Sequence, residues 1–503
     1  MPTHIKAFII IFVLAITVFV IAKNQSCILD DCADFKRRRN LWFTLTAAAF
    51  LSNNYWIYVV IASIAILTTL KFEKHRPSLF VLLLFIVPPI DAKISGFGLI
   101  NYLVGIDHPR LLSLLILLPT YVVYKRLSKE EDKKGNKERK HWVDIIFISY
   151  LVLSVVLHLR NTAVTNVMRY ALYAFTDGYL LYYVFSRTLL SKYDFRRVFQ
   201  YLVIAVGIMC VIAVFERTFH WLLFPSLLKA LDLQTNLFDW TMRAGSLRAM
   251  ASTGHSIALG YVIVIAMGFM LFLRTQMTSK LIVLLVFGVL LAGSYATLSR
   301  GPWVGIIVML LIYIILSPKV IRSMFVWGVA GVLMISVVNA TPWGQKLIDL
   351  LPFVGTVESE NVSYREKLID NALVVIKKNP WFGSVNYLET PEMAEMLQGG
   401  GIIDVTNTYI GIALKQGFVG LGLFLSFFVI VLVGVYRAFL SVPKEEIMIR
   451  EIGRVLLAVT VAILFIITTV SPISVIAIMY WMIGAMGVAY MRMVKELRNG
   501  GAV

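Results

Sequence analysis

The chain has 503 residues, of which 59% are hydrophobic and 15% charged, and its mean hydropathy is +0.80. So few charges exclude a water-soluble globule, and the chain reads as a polytopic protein whose first partner is the lipid bilayer. A net charge of +18 and a pI near 9.7 would suit a nucleic-acid binder. Membrane proteins, however, collect Lys and Arg in cytoplasmic loops, so the charge is an orientation signal and no nucleic acid is expected.

In chain order, the apolar run at 5–22 lacks a small-residue cleavage site and is predicted to be a retained helix. After Lys36-Arg37-Arg38-Arg39 the segment 41–70 is apolar except for Ser52-Asn53-Asn54. It is either one long tilted span or a hairpin turning at the asparagines. A cytoplasmic loop at 71–76 leads to a span at 79–90 broken by Pro88-Pro89, and 111–124 leads back. The loop at 125–140 carries eight basic residues and marks the cytoplasmic side. Further spans are predicted at 142–159, 170–190, 198–215, 257–274, 281–298, 302–317, 324–339, 418–437, 454–471 and 473–491. The expected fold is all-α and polytopic, with about 14 transmembrane helices (roughly 12–15). It divides into transmembrane helices at 1–339, including an outer loop at 216–255, a large periplasmic loop at 340–404 and C-terminal helices at 405–503. Three cysteines form no metal framework, and a Cys27–Cys32 disulfide requires that loop to face the oxidising side.

The loop at 340–404 holds the most informative stretch. Ser363 and Glu366 have capping-box spacing, Leu368, Ile369, Ala372, Leu373, Val375 and Ile376 have helical apolar spacing, and Lys377-Lys378-Asn379-Pro380 closes the helix. This puts Arg365 in the first turn, at the unfavourable end of the helix dipole. Arg160, Arg169, Arg217, Arg243, Arg248 and Arg300 also fall on the outer side, against the positive-inside bias. Carboxylates can neutralise some of them, since this loop has nine Asp and Glu against five Lys and Arg. A group of forked guanidinium ions also matches the oxygens of a diphosphate at the membrane surface. Asp177 is an intramembrane carboxylate, either functional or paired with Arg169. Gly399-Gly400-Gly401 reads as a hinge or close-approach loop, because no strand or P-loop lysine accompanies it.

Three features together resemble the O-antigen ligase and Wzy-type polysaccharide polymerase superfamily. They are Ser299-Arg300-Gly301 at a helix end, the Arg365-to-Gly383 helix ending in Asn379-Pro380-Trp381-Phe382-Gly383, and Asn407-Thr408-Tyr409 followed by Gly417-Phe418-Val419-Gly420-Leu421. The resemblance implies a GT-C-like membrane architecture in the bacterial inner membrane, with a site facing the periplasm. It implies transfer of a glycan from polyprenyl diphosphate onto a glycan or lipid A-core acceptor, without metal or cofactor, and a chain-length regulator or flippase as a further partner. Arg300, Arg365, Arg243 and Arg248 would bind diphosphate; Asp404 would act as base or else cap the helix that follows, and Asn407 would orient a hydroxyl or else be a structural interhelical polar residue. On a helix, Asp404, Asn407 and Thr408 would share one face. Trp381, Tyr409 and His255 are the candidate glycan contacts. Ligases usually carry a histidine before the asparagine, and Thr406 stands there instead, so polymerase is preferred to ligase. A polyanion or glycan transporter would also want outer arginines but usually shows repeated halves. A non-catalytic anchor would not need them. Reporter fusions at Ser363 and Asn136 are expected to report opposite compartments, and the same compartment for both would overturn these assignments.

Overall fold

The computed structural model describes residues 1–29, 32–98, 100–133, 142–160, 162–233, 238, 242–243, 245–322, 359–397 and 403–499, with isolated residues between 324 and 331. The predicted span at 324–339 and Gly399-Gly400-Gly401 lie wholly or largely outside the described residues, as does much of the loops at 125–140 and 340–404.

Among the described residues the chain is mostly helical. Six helices are long and apolar enough to cross a membrane: Thr3–Lys23, His108–Glu130, Lys192–Phe219, Ser256–Leu273, Thr408–Ser441 and Ile476–Arg498. Tyr55–Leu70, Trp142–His158, Lys280–Ala296 and Arg300–Ile315 are shorter apolar helices. Two short antiparallel hairpins accompany the helices. Ala92–Ser95 pairs with Tyr102–Ile106, and Met242–Arg243 pairs with Ser246–Leu247.

The segment 41–70 is a hairpin of two helices, Cys32–Leu51 and Tyr55–Leu70. Asn53 takes a left-handed conformation at the turn, and the Asn54 side chain accepts hydrogen bonds from the Trp56 and Ile57 amides, which starts the second helix. The predicted span at 79–90 is shorter than expected: Arg76–Leu83 has only eight residues. The non-helical backbone after it stays buried, where irregular structure can be satisfied by protein.

Ion pairs align the helix ends. Arg38 forks onto Glu73 at 2.6 and 3.0 Å with both side chains wholly buried, and its guanidinium lies over the Tyr201 ring. His75 meets Asp194, Lys192 meets Glu446, and Arg187 meets Asp144, so residues 37–38, 73–75, 144, 187–197 and 446 share one end of the bundle. The Lys192–Phe219 helix runs from that end to the opposite one. Beside it Ser256–Leu273 is buried along nearly its whole length, against Lys192–Phe219, Arg300–Ile315 and Ile447–Ile466. Cys210 is free and buried on the long helix, and Cys32 is disulfide-bonded.

At the opposite end the helix Ser359–Lys378 is tied to the Thr408–Ser441 helix by main chain. The Ser384 amide donates to Leu414 O at 2.8 Å, Phe418 N to Pro380 O at 2.7 Å, and Val419 N to Trp381 O at 3.1 Å. Gly417 interrupts the long helix at φ 63°, ψ −166°, a conformation reserved for glycine. A Cβ there would sit 2.3 Å from the Trp381 carbonyl carbon, and one on Gly383 2.4 Å from Leu414 O. A small apolar cluster of Leu368, Ala372, Val375, Ile376, Met393, Met396 and Leu414 completes the clasp. Of the predicted apolar face, Ile369 and Leu373 remain exposed.

Gly417→Ala is therefore expected to lower the thermal stability of the purified protein by at least ~1–3 kcal/mol and to open 379–397 to protease. Gly422→Ala, where a Cβ meets nothing within 4 Å, should not. Equal behaviour of the two variants would contradict the clasp.

Candidate active site

Thr297, Leu298 and Ser299 make the turn between Lys280–Ala296 and Arg300–Ile315, with Leu298 at φ 47°. Two of the outer arginines converge on this turn from the neighbouring loop. Arg243 donates to Leu298 O at 2.6 Å, and Arg248 donates to Thr297 O at 3.4 Å and Ser299 Oγ at 3.2 Å. The Ala249 amide adds a main-chain bond to Ala296 O. Arg300 then begins its helix, with Gly301 so close to the next element that a Cβ would lie 3.0 Å from Thr469 Oγ1. Arg243 and Arg248, expected from the sequence as phosphate ligands, here fasten the turn that opens the Arg300 helix.

The loop carrying Arg248 is itself held from below. Glu216, buried at the end of Lys192–Phe219, accepts from the amides of Leu223, Met250 and Ala251 at 2.9 to 3.1 Å. This satisfies the carboxylate with main chain alone and fixes Ala251 at φ 44°. Sequence reading overlooked Glu216, although a lone carboxylate closing an apolar run was a visible signal.

His255 follows as the N-cap of Ser256–Leu273, its Nδ1 accepting from Ile257 N at 3.2 Å. The neutral ring therefore carries its proton on Nε2. Burial, reinforced by the Arg248 charge, pushes its pKa down to about 4.

The second overlooked element is the turn at 467–475, whose Thr, Ser and Pro residues interrupt two apolar runs. Ser474 Oγ donates to Thr253 O at 2.6 Å on the His255 side. On the other side Ser471 Oγ donates to Asp404 Oδ1 at 2.7 Å, the Thr408 amide donates to Ile467 O, and Thr408 Oγ1 donates to Val470 O. One turn thus joins the arginine loops to the Asp404 segment.

Here three expectations are corrected. Residues 403–407 are not helical and the helix begins at Thr408, so Asp404 does not share a helical face with Asn407 and Thr408. Asn407 is the N-cap, its side-chain oxygen accepting from Tyr409 N and Ile410 N. The helix bearing Arg365 starts at Ser359, so Ser363 and Glu366 form no capping box and Arg365 lies in the second turn, exposed. The dipole effect is confined to the first turn and does not act strongly there. Its neighbour Tyr364 donates to Asp404 O at 3.0 Å and ties that helix to the Asp404 segment.

The aromatic candidates separate. Trp381 is 68% exposed, whereas Tyr409 donates its hydroxyl to Leu464 O and packs edge-on against Phe424. Arg160 lies over the Phe382 ring, and Arg217 over Tyr295. Asp177 pairs with Arg110 at 2.8 Å and not with Arg169, which bonds main chain at Tyr102 and Leu103. Arg110 also reaches Asp91 and Asp107, making a separate group of one guanidinium and three carboxylates.

The depressed His255 value has a pH consequence. Its contribution to stability is full above its ordinary pKa of 6.5 and is lost as pH falls toward 4. His255→Asn can still cap the helix but does not titrate, so it should flatten the acid-side fall in melting temperature between pH 6.5 and 4. An unchanged slope would show that His255 does not carry that loss.

No curated protein matches the chain. Residues 285–425 match the family model described as O-Antigen ligase. The matched stretch takes in the turn before Arg300, the Ser359–Lys378 helix, Asp404, Asn407 and the break at Gly417. That segment is thus similar to the O-antigen ligase family, while the rest of the chain lies outside the match.

Proposed function

We propose that this protein is an inner-membrane glycosyltransferase of the polymerase type, moving a glycan from polyprenyl diphosphate onto a glycan acceptor at the periplasmic face. The convergence of Arg243 and Arg248 on the turn that opens the Arg300 helix, inside the O-antigen ligase segment, carries this reading.

In the proposed reaction the acceptor oxygen forms a bond to the anomeric carbon as the bond to the lipid diphosphate breaks. The leaving diphosphate keeps the electron pair, and Arg300 and Arg365 stabilise the charge that develops on it. Asp404 takes the acceptor proton. Only its Oδ1 is engaged among the described residues, by Ser471, which aims the carboxylate without consuming it. Asn407 uses its oxygen in the cap, so its Nδ2 group is the part that orients a sugar hydroxyl. Trp381 offers an exposed ring for sugar stacking, and Arg243 and Arg248 keep the Arg300 turn in register. Thr406 in place of the ligase-branch histidine favours a glycan acceptor over lipid A-core.

The test uses purified protein, lipid-diphosphate oligosaccharide and excess chelator, with lipid A-core in a parallel reaction. Longer lipid-linked chains are expected, and they should form in the chelator. Arg300→Lys and Arg365→Lys keep a charge but lose the planar fork. Each is expected to reduce turnover about 100- to 1,000-fold, the usual cost of a lost oxyanion contact. Arg139→Ala, in the predicted cytoplasmic loop, should be silent. A lipid A-core conjugate would identify a ligase, and glycan movement without a new bond a transporter. Near-normal turnover in both lysine variants would remove these arginines from the reaction.

A further inference from the structure

The end of the bundle remote from Arg300 holds a second polar concavity. Asp194 lines it, near the start of the Lys192–Phe219 helix whose last turn holds Glu216, so the two regions are roughly 33 Å apart at a rise of about 1.5 Å per residue. The cavity has a volume of about 260 Å³, and Lys74, His75, Arg76, Ser78, Thr120 and Tyr124 supply its polar wall. A single water needs only ~10–15 Å³ of such space, so a larger group fits.

The charges in this cavity do not cancel. Glu73 is taken by the buried fork of Arg38 and by the His75 amide. Asp194 is held by His75 at 3.3 Å, by the Ser191 hydroxyl at 2.9 Å and by Arg197 at 3.8 Å. Lys74 and Arg76 have no carboxylate partner among the described residues, and Arg76 reaches only the Thr120 hydroxyl, at 3.5 Å. Two cations and several hydroxyls thus face one space. Its remaining wall is apolar, and Val123 and Leu127 on that wall are about half exposed on the outside of the bundle.

We infer that this cavity binds the phosphate of an anionic phospholipid, with Lys74 and Arg76 on the phosphate oxygens, the Thr120 and Ser78 hydroxyls beside them, and an acyl chain along Val123 and Leu127. Basic pockets between membrane helices suit such headgroups, and the apolar flank favours a lipid over a free anion. This inference does not depend on the proposed transferase reaction.

Purified full-length protein in zwitterionic phosphatidylcholine micelles, titrated with phosphatidylglycerol and read by native mass spectrometry, tests it. Phosphatidylglycerol is expected to be retained in preference to phosphatidylcholine. The double variant Lys74→Ala/Arg76→Ala should bind it about 30-fold more weakly, whereas Lys444→Ala, outside the cavity, should bind normally. Thermal unfolding in pure phosphatidylcholine should match for all three proteins, which separates lost binding from lost folding. If the double variant is unstable there, Arg76→Gln alone should still weaken binding. Retention unaffected by either change would overturn the site, and equal competition by millimolar inorganic phosphate would overturn the assignment to lipid.

Discussion

The candidate site depends on a main-chain clasp. Gly417 breaks a 34-residue helix at a conformation closed to other residues, and the broken turn receives the backbone of Pro380 and Trp381. Gly383 makes the reciprocal approach to Leu414. Because the contacts are between backbones, side-chain substitution elsewhere cannot replace them, and the glycine pattern is a geometric requirement. The clasp fixes where Ser359–Lys378 leaves the membrane-like bundle, and Tyr364 then bonds the same helix to the Asp404 segment. Arg365 and Asp404 are thereby held on one scaffold.

The arginines divide into different kinds of work. Arg38, Arg110 and Arg187 are buried and answered by carboxylates, which offsets the cost of taking such charges out of water. Arg243 and Arg248 bond the carbonyls and hydroxyl of the 297–299 turn, so their charge stays directed at one place while their geometry is fixed. Glu216 keeps the same loop in place through three amides, and the 467–475 turn joins it to Asp404. A preorganised arrangement of this kind lets charge develop in a transition state without moving the groups that stabilise it.

The sequence makes the helical, membrane-like character legible because apolar runs and basic loops follow directly from solvation. At Ser52-Asn53-Asn54 the sequence allows either one tilted span or a hairpin, and the structure takes the hairpin, with Asn53 left-handed and Asn54 capping the next helix. The motif segments of the site are legible as segments. Their internal geometry is not. Asp404 and Asn407 could each cap the next helix, and the bonds that the Asn407 side chain accepts from the Tyr409 and Ile410 amides decide between them. The Ser363 capping box fails because the helix continues upstream to Ser359. Asp177 finds Arg110 across 67 residues of sequence, while the nearby Arg169 goes to main chain, a choice that local spacing cannot encode. The two hairpins are too short to leave a clear alternating pattern.

The most direct measurement uses a polyprenyl-diphosphate oligosaccharide carrying a photoreactive group beside the diphosphate, irradiated with the purified protein and mapped by peptide mass spectrometry. The account predicts labelling in 243–255, 297–303, 364–366 and 403–409, abolished by excess unlabelled donor. Labelling confined to the Lys74–Arg76 cavity, or spread along the apolar helices without competition, would contradict the assignment of the reacting end.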